Sequence, residues 1–360
     1  MIEWKDEIQN ANWIKQFSGH WSILSCHYFT EAYALANLHR FGVNIPRFLC
    51  MVKQGNATGY IDKNDLDYFG QALSHRIEHN PHESEEWSKE LRQHTDQLNS
   101  FFSQFETKKI TPADYFELWT RAYPFIALNS AIKRTQDYLP QPLSEKILPF
   151  FSETRKYSQT IYTNIEFFLE KWAQQESKPS HYPAELLLCM SKFEAEEYLH
   201  HHALPQLPLL KERAKACAVL YTKHEHTAIE YPELWEVEKK LAPPHLEESF
   251  SGQIAQPGKV TGNAKISLDP HAKNDFSTGD ILVTQMTRPE YMPFIRKASA
   301  IVTDAGGRLC HAAIVARELG IPAIVGTEHA TSTLKTGDRI EVDADAGIIR
   351  RLSVDRTKKN

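Results

Sequence analysis

The sequence predicts two domains of different class, an α-helical N-terminal domain and a C-terminal β/α domain, and three observations carry that division. All seven Trp lie before residue 250, whereas ten of the fifteen Gly lie after it. That shift is expected where aromatic-rich helices give way to short strands joined by tight turns. The charge divides at the same place: residues 251–360 hold 15 basic and 12 acidic side chains, a net +3, within a chain of net charge -5. Between the two parts, Ala242-Pro243-Pro244-His245 pairs two prolines, which cannot continue a helix and favour an extended, semi-rigid connector. The expected layout is a helical domain over 1–242, a linker over 243–250, the β/α domain over 251–353 and a tail over 354–360.

The helical reading of the first part rests on local start and stop signals. Thr111-Pro112-Ala113-Asp114 sets a capping hydroxyl before a first-turn proline and an early acid, and Tyr115, Phe116, Leu118 and Trp119 follow until Pro124 interrupts the run. Ser191-Lys192-Phe193-Glu194 has the spacing of a capping box and opens a segment through Ala195, Tyr198 and Leu199. Further long helices are expected around Leu91 to Phe105 and Tyr157 to Trp172. The aromatic group Tyr115, Phe116, Trp119 and Tyr123 reads first as helix-core packing and second as the lining of an apolar substrate pocket.

The last part alternates differently. Short β-branched runs lie between glycine turns, at Gly258 to Ile266, Asp280 to Thr284, Ala300 to Thr303, Ala323 to Gly326, Arg339 to Val342 and Ile348 to Arg350. One helix is expected among them, from about Cys310 to Leu319, with Ala312, Val315, Ala316 and Leu319 on one face and Gly320 then Pro322 as its stop.

Composition excludes several classes. With 24% charged and 11% aromatic residues in 360, the chain has the apolar content to fold rather than remain disordered. A net charge of -5 offers no global positive field, so neither nucleic acid nor an anionic membrane is an expected partner. The start carries charges where a secretory signal needs an apolar run, and no stretch approaches a membrane span, so the expected location is cytoplasmic. The five cysteines are scattered and never form a CxxC pair, which argues for reduced thiols and against a cysteine-rich zinc site. His75 and His79 share an i, i+4 spacing, but Arg76 stands where zinc proteases need Glu; His200-His201-His202 cannot point one way on a helix, and His224 and His226 are two apart. No metal site is expected on this chain.

Chemistry concentrates in one segment. From Thr303 to Gly326 a buried-type strand is followed by Gly306-Gly307 and then by His311 in the first turn of the predicted helix. Two glycines allow close backbone approach, and the unpaired amides and positive dipole end of a helix favour an anion such as phosphate. Ala312 and Ala313 leave the imidazole unobstructed. A neutral imidazole nitrogen is a competent nucleophile toward phosphorus. Cys310 is set aside as a nucleophile, since its neighbours supply no base. Arg317 stands roughly 240° around the helix from His311, where an ion pair is as natural a role as a phosphate contact.

This segment, with Gly258-Lys-Val-Thr-Gly262-Asn-Ala264, Ile281-Leu-Val-Thr284 and Thr287-Arg-Pro-Glu-Tyr-Met-Pro-Phe294, resembles the phosphohistidine (swivelling) domain of the PEP-utilising dikinases. That family includes the phosphoenolpyruvate synthases, the pyruvate phosphate dikinases and the rifampin phosphotransferases. The resemblance implies that His311 is the phosphorylated catalytic residue and that Gly306, Gly307, Cys310 and Arg317 form the phosphate-binding set. Where many relatives carry Thr or Ser just before the histidine, this chain has Leu309 and Cys310. The helical part is more weakly similar, around Met190 to Tyr198 and Leu210 to Arg213, to the segment preceding the histidine domain in rifampin phosphotransferase-like proteins.

Residues 1–245 do not resemble the family's ATP-grasp module, and nothing after His311 resembles the PEP/pyruvate barrel of the synthases. The function implied is that of a phosphotransferase component, with His311 carrying a phosphoryl group from a separate ATP-grasp partner to a small-molecule acceptor. The domain would swing about the linker near Pro243. No cofactor is expected on this chain itself; Mg2+ and ATP or phosphoenolpyruvate belong at the partner's site. The alternatives are a non-enzymatic phosphocarrier or regulatory protein and a degenerate scaffold.

Overall fold

The computed structural model describes residues 4–222, 225–242, 249–270 and 275–352. Most of the expected linker (Pro243 to Glu248), the tail and His224 lie outside the described residues. The chain divides into two compact units, Met1–Ile14 with Gly19–Leu241 and Lys15–Ser18 with Ala242–Asn360.

Local chemistry starts the N-terminal helices. Thr111 and Asp114 form a reciprocal capping box on the helix Pro112–Tyr138, and Ser191 and Glu194 form another on Lys192–His201. The helix His82–Ser103 buries Ser84, Trp87, Ser88, Leu91, Thr95, Leu98 and Phe101, a 3- to 4-residue spacing that keeps one stripe inward. Pro124 does not end its helix, contrary to the sequence expectation. The residues after it, Phe125 to Ile132, are buried throughout, and their packing outweighs one missing hydrogen bond beside an exposed proline.

The N-terminal unit is not purely helical, and this corrects the predicted class. It carries a sheet of β2 (Phe48–Lys53), β3 (Asn56–Asp62), β4 (Ala216–Thr222) and β5 (Glu225–Ile229), in the order β3-β2-β4-β5, while the residues of β1 (Trp13–His20) are divided between the two units. β2 and β3 are joined by Gln54 and Gly55, both at positive φ (48° and 75°), the backbone of a tight hairpin turn. The helix Ile23–Glu31 is buried along its whole length and runs into a π-helical turn, Ala32–Ala36.

The C-terminal unit is built on eight strands: β6 (Ser249–Ser251), β7 (Gln253–Gln256), β8 (Lys259–Ile266), β9 (Ile281–Thr284), β10 (Ala300–Thr303), β11 (Ala323–Val325), β12 (Arg339–Asp343) and β13 (Ile348–Arg351). Their order is β6-β13-β12-β8-β9-β10-β11-β7, with β8 to β11 mutually parallel and the flanking pairs antiparallel. β9 and β10 are buried at every residue, as parallel strands covered on both faces must be. Leu282 and Ile301 join one core with Tyr291 and the helix residues Ala312, Val315 and Ala316. Ile281, Val283, Ala300 and Val302 point the other way, to Ile324, Leu334 and Ile340. The helix His311–Leu319 closes with Gly320 in the left-handed conformation (φ 66°). Leu319, expected inward, is 42% exposed, because Ala312, Ala313 and Val315 already fill the sheet-facing side. Among the described residues no helix is long and apolar enough to cross a membrane.

Candidate active site

Three loops leave the carboxyl ends of the parallel strands β9, β10 and β11, the edge at which open α/β sheets hold their ligands. The β9 loop carries Thr287, the β10 loop carries Asp304 to Cys310, and β11 runs into Gly326. Backbone bonds prolong the ladder into these loops. Asp304 N–H donates to Thr284 O at 3.0 Å and Ala305 N–H to Gln285 O at 2.9 Å, while Thr327 N–H donates to Thr303 O at 3.0 Å. The fully buried Asp304 carboxylate accepts from Thr331 N–H (2.9 Å) and from the Thr331 hydroxyl (2.5 Å). The β10 loop is thereby held from both sides.

Two glycines create the room that the loop needs. Gly306 has φ +122°, and a Cβ there would lie 2.8 Å from Cys310 Sγ; Gly326 has φ +68°, and a Cβ there would lie 2.7 Å from Gly306 O. Gly326 thus packs on Gly306, and Gly306 on Cys310, the N-cap of the helix. Gly307 O accepts from Cys310 N–H at 3.0 Å and closes the turn. Leu309 is fully buried and serves as core packing.

His311 occupies the first helical position. The Cys310 side chain makes no capping bond, and the first amide of the helix ladder is that of Ile314, donating to Cys310 O at 3.0 Å. The N–H groups of His311, Ala312 and Ala313 therefore have no intrahelical acceptor, which is what makes a helix N-terminus receptive to an anion. His311 Nδ1 pairs with Thr287 Oγ1 at 2.9 Å, and Thr287 is 2% exposed. Nε2 makes no hydrogen bond among the described residues. Burial dominates the ring's electrostatics and pushes its pKa down to about 4, against the opposing pull of the Glu290 and Glu318 carboxylates. A neutral, one-sidedly anchored imidazole beside unpaired amides is equipped for nucleophilic attack on a phosphorus centre.

Gly306, Gly307, Cys310 and His311 are thus brought together on one loop and helix start. Arg317 Nη1 lies 3.5 Å from Ala255 O on β7, and its guanidinium also interacts electrostatically with Cys310 and Arg308 of the β10 loop. Thr287, Asp304 and Gly326 are the contributors that the sequence reading left without a role. The buried-strand pattern precedes Asp304, while Thr287 and Gly326 stand only as end residues of the segments that carry the resemblance. Of the other histidines, His79 Nδ1 lies 2.8 Å from His75 O, His200 stacks on Phe116, and His226 Nε2 lies 2.9 Å from His27 O.

Replacing Thr287 by Val keeps the shape and removes the hydroxyl, so the imidazole should lose its tautomer preference. Nitrogen-15 spectra of labelled His311 should change from one dominant tautomer to a mixture, a shift worth roughly 1 kcal/mol. Unchanged spectra would mean that the 2.9 Å contact orients nothing.

Residues 276–347 match the family model described as "PEP-utilising enzyme, mobile domain". The chain is 52% identical over 100 residues to a probable phosphoenolpyruvate synthase of Staphylothermus marinus, covering 27% of this chain and 12% of that protein. It is 42% identical over 128 residues to the one from Archaeoglobus fulgidus, covering 34% and 17%. With the phosphoenolpyruvate synthase of Aquifex aeolicus it shares 53% over 88 residues, covering 24% and 10%. The chain therefore spans about a tenth to a sixth of the length of these relatives. Residues 276–347 thus carry the mobile domain found in PEP-utilising enzymes.

Proposed function

We propose that the protein is a phosphotransferase component in which His311 carries a phosphoryl group from a donor to an acceptor. The observation that supports this reading most is the pairing of Thr287 with Nδ1, which leaves Nε2 unbonded beside the open amides of the helix start. In the tautomer that donates Nδ1–H to Thr287, the lone pair sits on Nε2. That lone pair attacks phosphorus, the donor's P–O bond breaks with its electrons leaving on oxygen, and a P–N bond forms. An acceptor oxygen later displaces the imidazole. The amides of His311, Ala312 and Ala313 offset the charge that accumulates on the phosphoryl oxygens.

The proposed donor site is on a separate ATP-grasp nucleotide-binding partner, where ATP or phosphoenolpyruvate and Mg2+ are held; the proposed acceptor is a small molecule. Incubating the protein with each labelled donor, with and without such a partner, tests the role. The expected product is covalent label that is lost in acid and kept in alkali. Absence of label with every donor, or label that survives acid, would refute it.

Acidity gives a second test. Protonation consumes the lone pair, so uptake should track the neutral imidazole. With the pKa pushed down to about 4, the uptake rate should stay flat as the pH falls from 8 to about 5.5, where a solvated imidazole would be roughly nine-tenths protonated. A rate that declines through pH 6.5 would show that the ring is not desolvated in the reacting state.

A further inference from the structure

The N-terminal unit contains a cleft of about 610 Å³, within the roughly 300–1,000 Å³ that small-molecule sites occupy. It lies among the end of the helix Ile23–Glu31, the π-helical turn after it and the helices His82–Ser103, Pro112–Tyr138 and Lys192–His201. π-Helical turns occur disproportionately at functional sites.

The charges on its walls do not balance. Arg40 is held by both oxygens of Glu90 at 3.0 Å. Lys192 donates to Glu31 at 2.6 Å, and Tyr123 donates to the same oxygen at 2.8 Å. Glu196 remains. It accepts from Tyr28 O–H at 3.1 Å, and the nearest cation, Lys192, stands 4.0 Å away and already serves Glu31. Burial raises the Glu196 carboxyl above its ordinary range, against the opposing pull of Lys192 and the Tyr28 hydroxyl.

The rest of the wall also offers acceptors and ring faces. Pro124 has no N–H, so the carbonyl of Thr120, four residues before it on the same wall, lacks its intrahelical donor. Tyr28 stacks on Trp119 at 3.8 Å and 5°, a rigid aromatic floor, while Phe116 and Tyr123 are only half-buried. Three carboxylates against Arg40 and Lys192, with His39 and His94 also on the wall, an underused carbonyl and aromatic rings together suit a cation better than an anion.

We propose that this cleft binds a small aromatic molecule bearing a protonated amine, with Glu196 as its counter-ion and Phe116 and Tyr123 against its apolar part. Binding there does not require His311 to carry phosphorus, and the two can fail separately.

Calorimetric titration of the full chain with three isosteric probes tests it: 2-phenylethylamine, 2-phenylethanol and 3-phenylpropionate. The amine should bind roughly tenfold or more tightly than the alcohol, and the carboxylate should bind weakest. In Glu196→Gln the amine should fall to the level of the alcohol, while binding of the alcohol, which reports an intact cleft, stays unchanged. His311→Ala should leave all three affinities as they were. Equal binding of the three probes, no binding of the amine, or an amine preference that survives Glu196→Gln would overturn the proposal.

Discussion

His311→Ala is expected to take up no label from any donor, and His311→Asn is expected to behave identically while folding more stably. The two variants separate chemistry from structure. Alanine suits the first turn of a helix but leaves the Thr287 hydroxyl, 2% exposed, without the partner that it now has at 2.9 Å, a cost of about 1 kcal/mol. Asparagine sets an amide group near the position of Nδ1 and can answer the hydroxyl. Its nitrogen lone pair is delocalised into the carbonyl, so it offers no nucleophile. Thermal melting should therefore rank the parent and Asn above Ala, whereas labelling should be lost in both. Label retained in either variant would place the phosphoryl group on another side chain.

Gly326→Ala is expected to damage the site without touching it. A methyl group there would sit 2.7 Å from the carbonyl of Gly306, and the residue's φ of +68° already disfavours a side chain. The obstacle is backbone, so the β10 loop has to move. Gly306 in turn has φ +122° and no space for a Cβ beside Cys310, the residue that caps the helix of His311. Each substitution should cost roughly 1–3 kcal/mol, a fall of roughly 5–15 °C in the melting of this unit. Label uptake should fall by more than tenfold in both, since a displacement of the helix start misaligns the amides and Nε2 together. Gly320→Ala is the control. Its φ is +66°, yet nothing lies within 4 Å of a Cβ there, so it should lose stability with little loss of uptake. Equal effects on uptake at Gly320 and Gly326 would show that the steric chain between Gly326 and Cys310 carries no information to the site.

The parts of this fold that sequence reveals are those in which cause and effect lie within a few residues. Thr111 with Asp114, and Ser191 with Glu194, are hydroxyl and carboxylate three positions apart, and both close into capping boxes. Ala300 to Thr303 is an apolar β-branched run and forms β10, and Gly320 ends the helix that follows. The N-terminal sheet escaped notice because its central strands, Phe-Leu-Cys-Met-Val-Lys and Ala-Cys-Ala-Val-Leu-Tyr-Thr, are continuous apolar runs without the alternation that distinguishes strand from buried helix. Their pairing, Leu49 with Leu220 for example, joins residues far apart in the chain. The turn at Gln54-Gly55 was the available clue, since both positions adopt positive φ.

The same distinction holds at the site. The setting of His311, a histidine at a helix start after two glycines, is local and readable. Thr287 is 24 positions away and meets the ring only because β9 and β10 lie side by side. Gly326 acts through contact with another backbone, which no spacing rule anticipates. Arg317 comes within 3.5 Å of Ala255 O, a contact that no helical spacing anticipates, because β7 at the sheet edge is absent from the expected strands.

The most direct measurement is a phosphorus–nitrogen correlation spectrum of the phosphorylated protein labelled with nitrogen-15 in histidine. The expected result is a single phosphoramidate whose phosphorus couples to Nε2 of His311, with Nδ1 still protonated toward Thr287. Phosphorus on Nδ1, on another residue, or on no protein atom while the donor is consumed would contradict it.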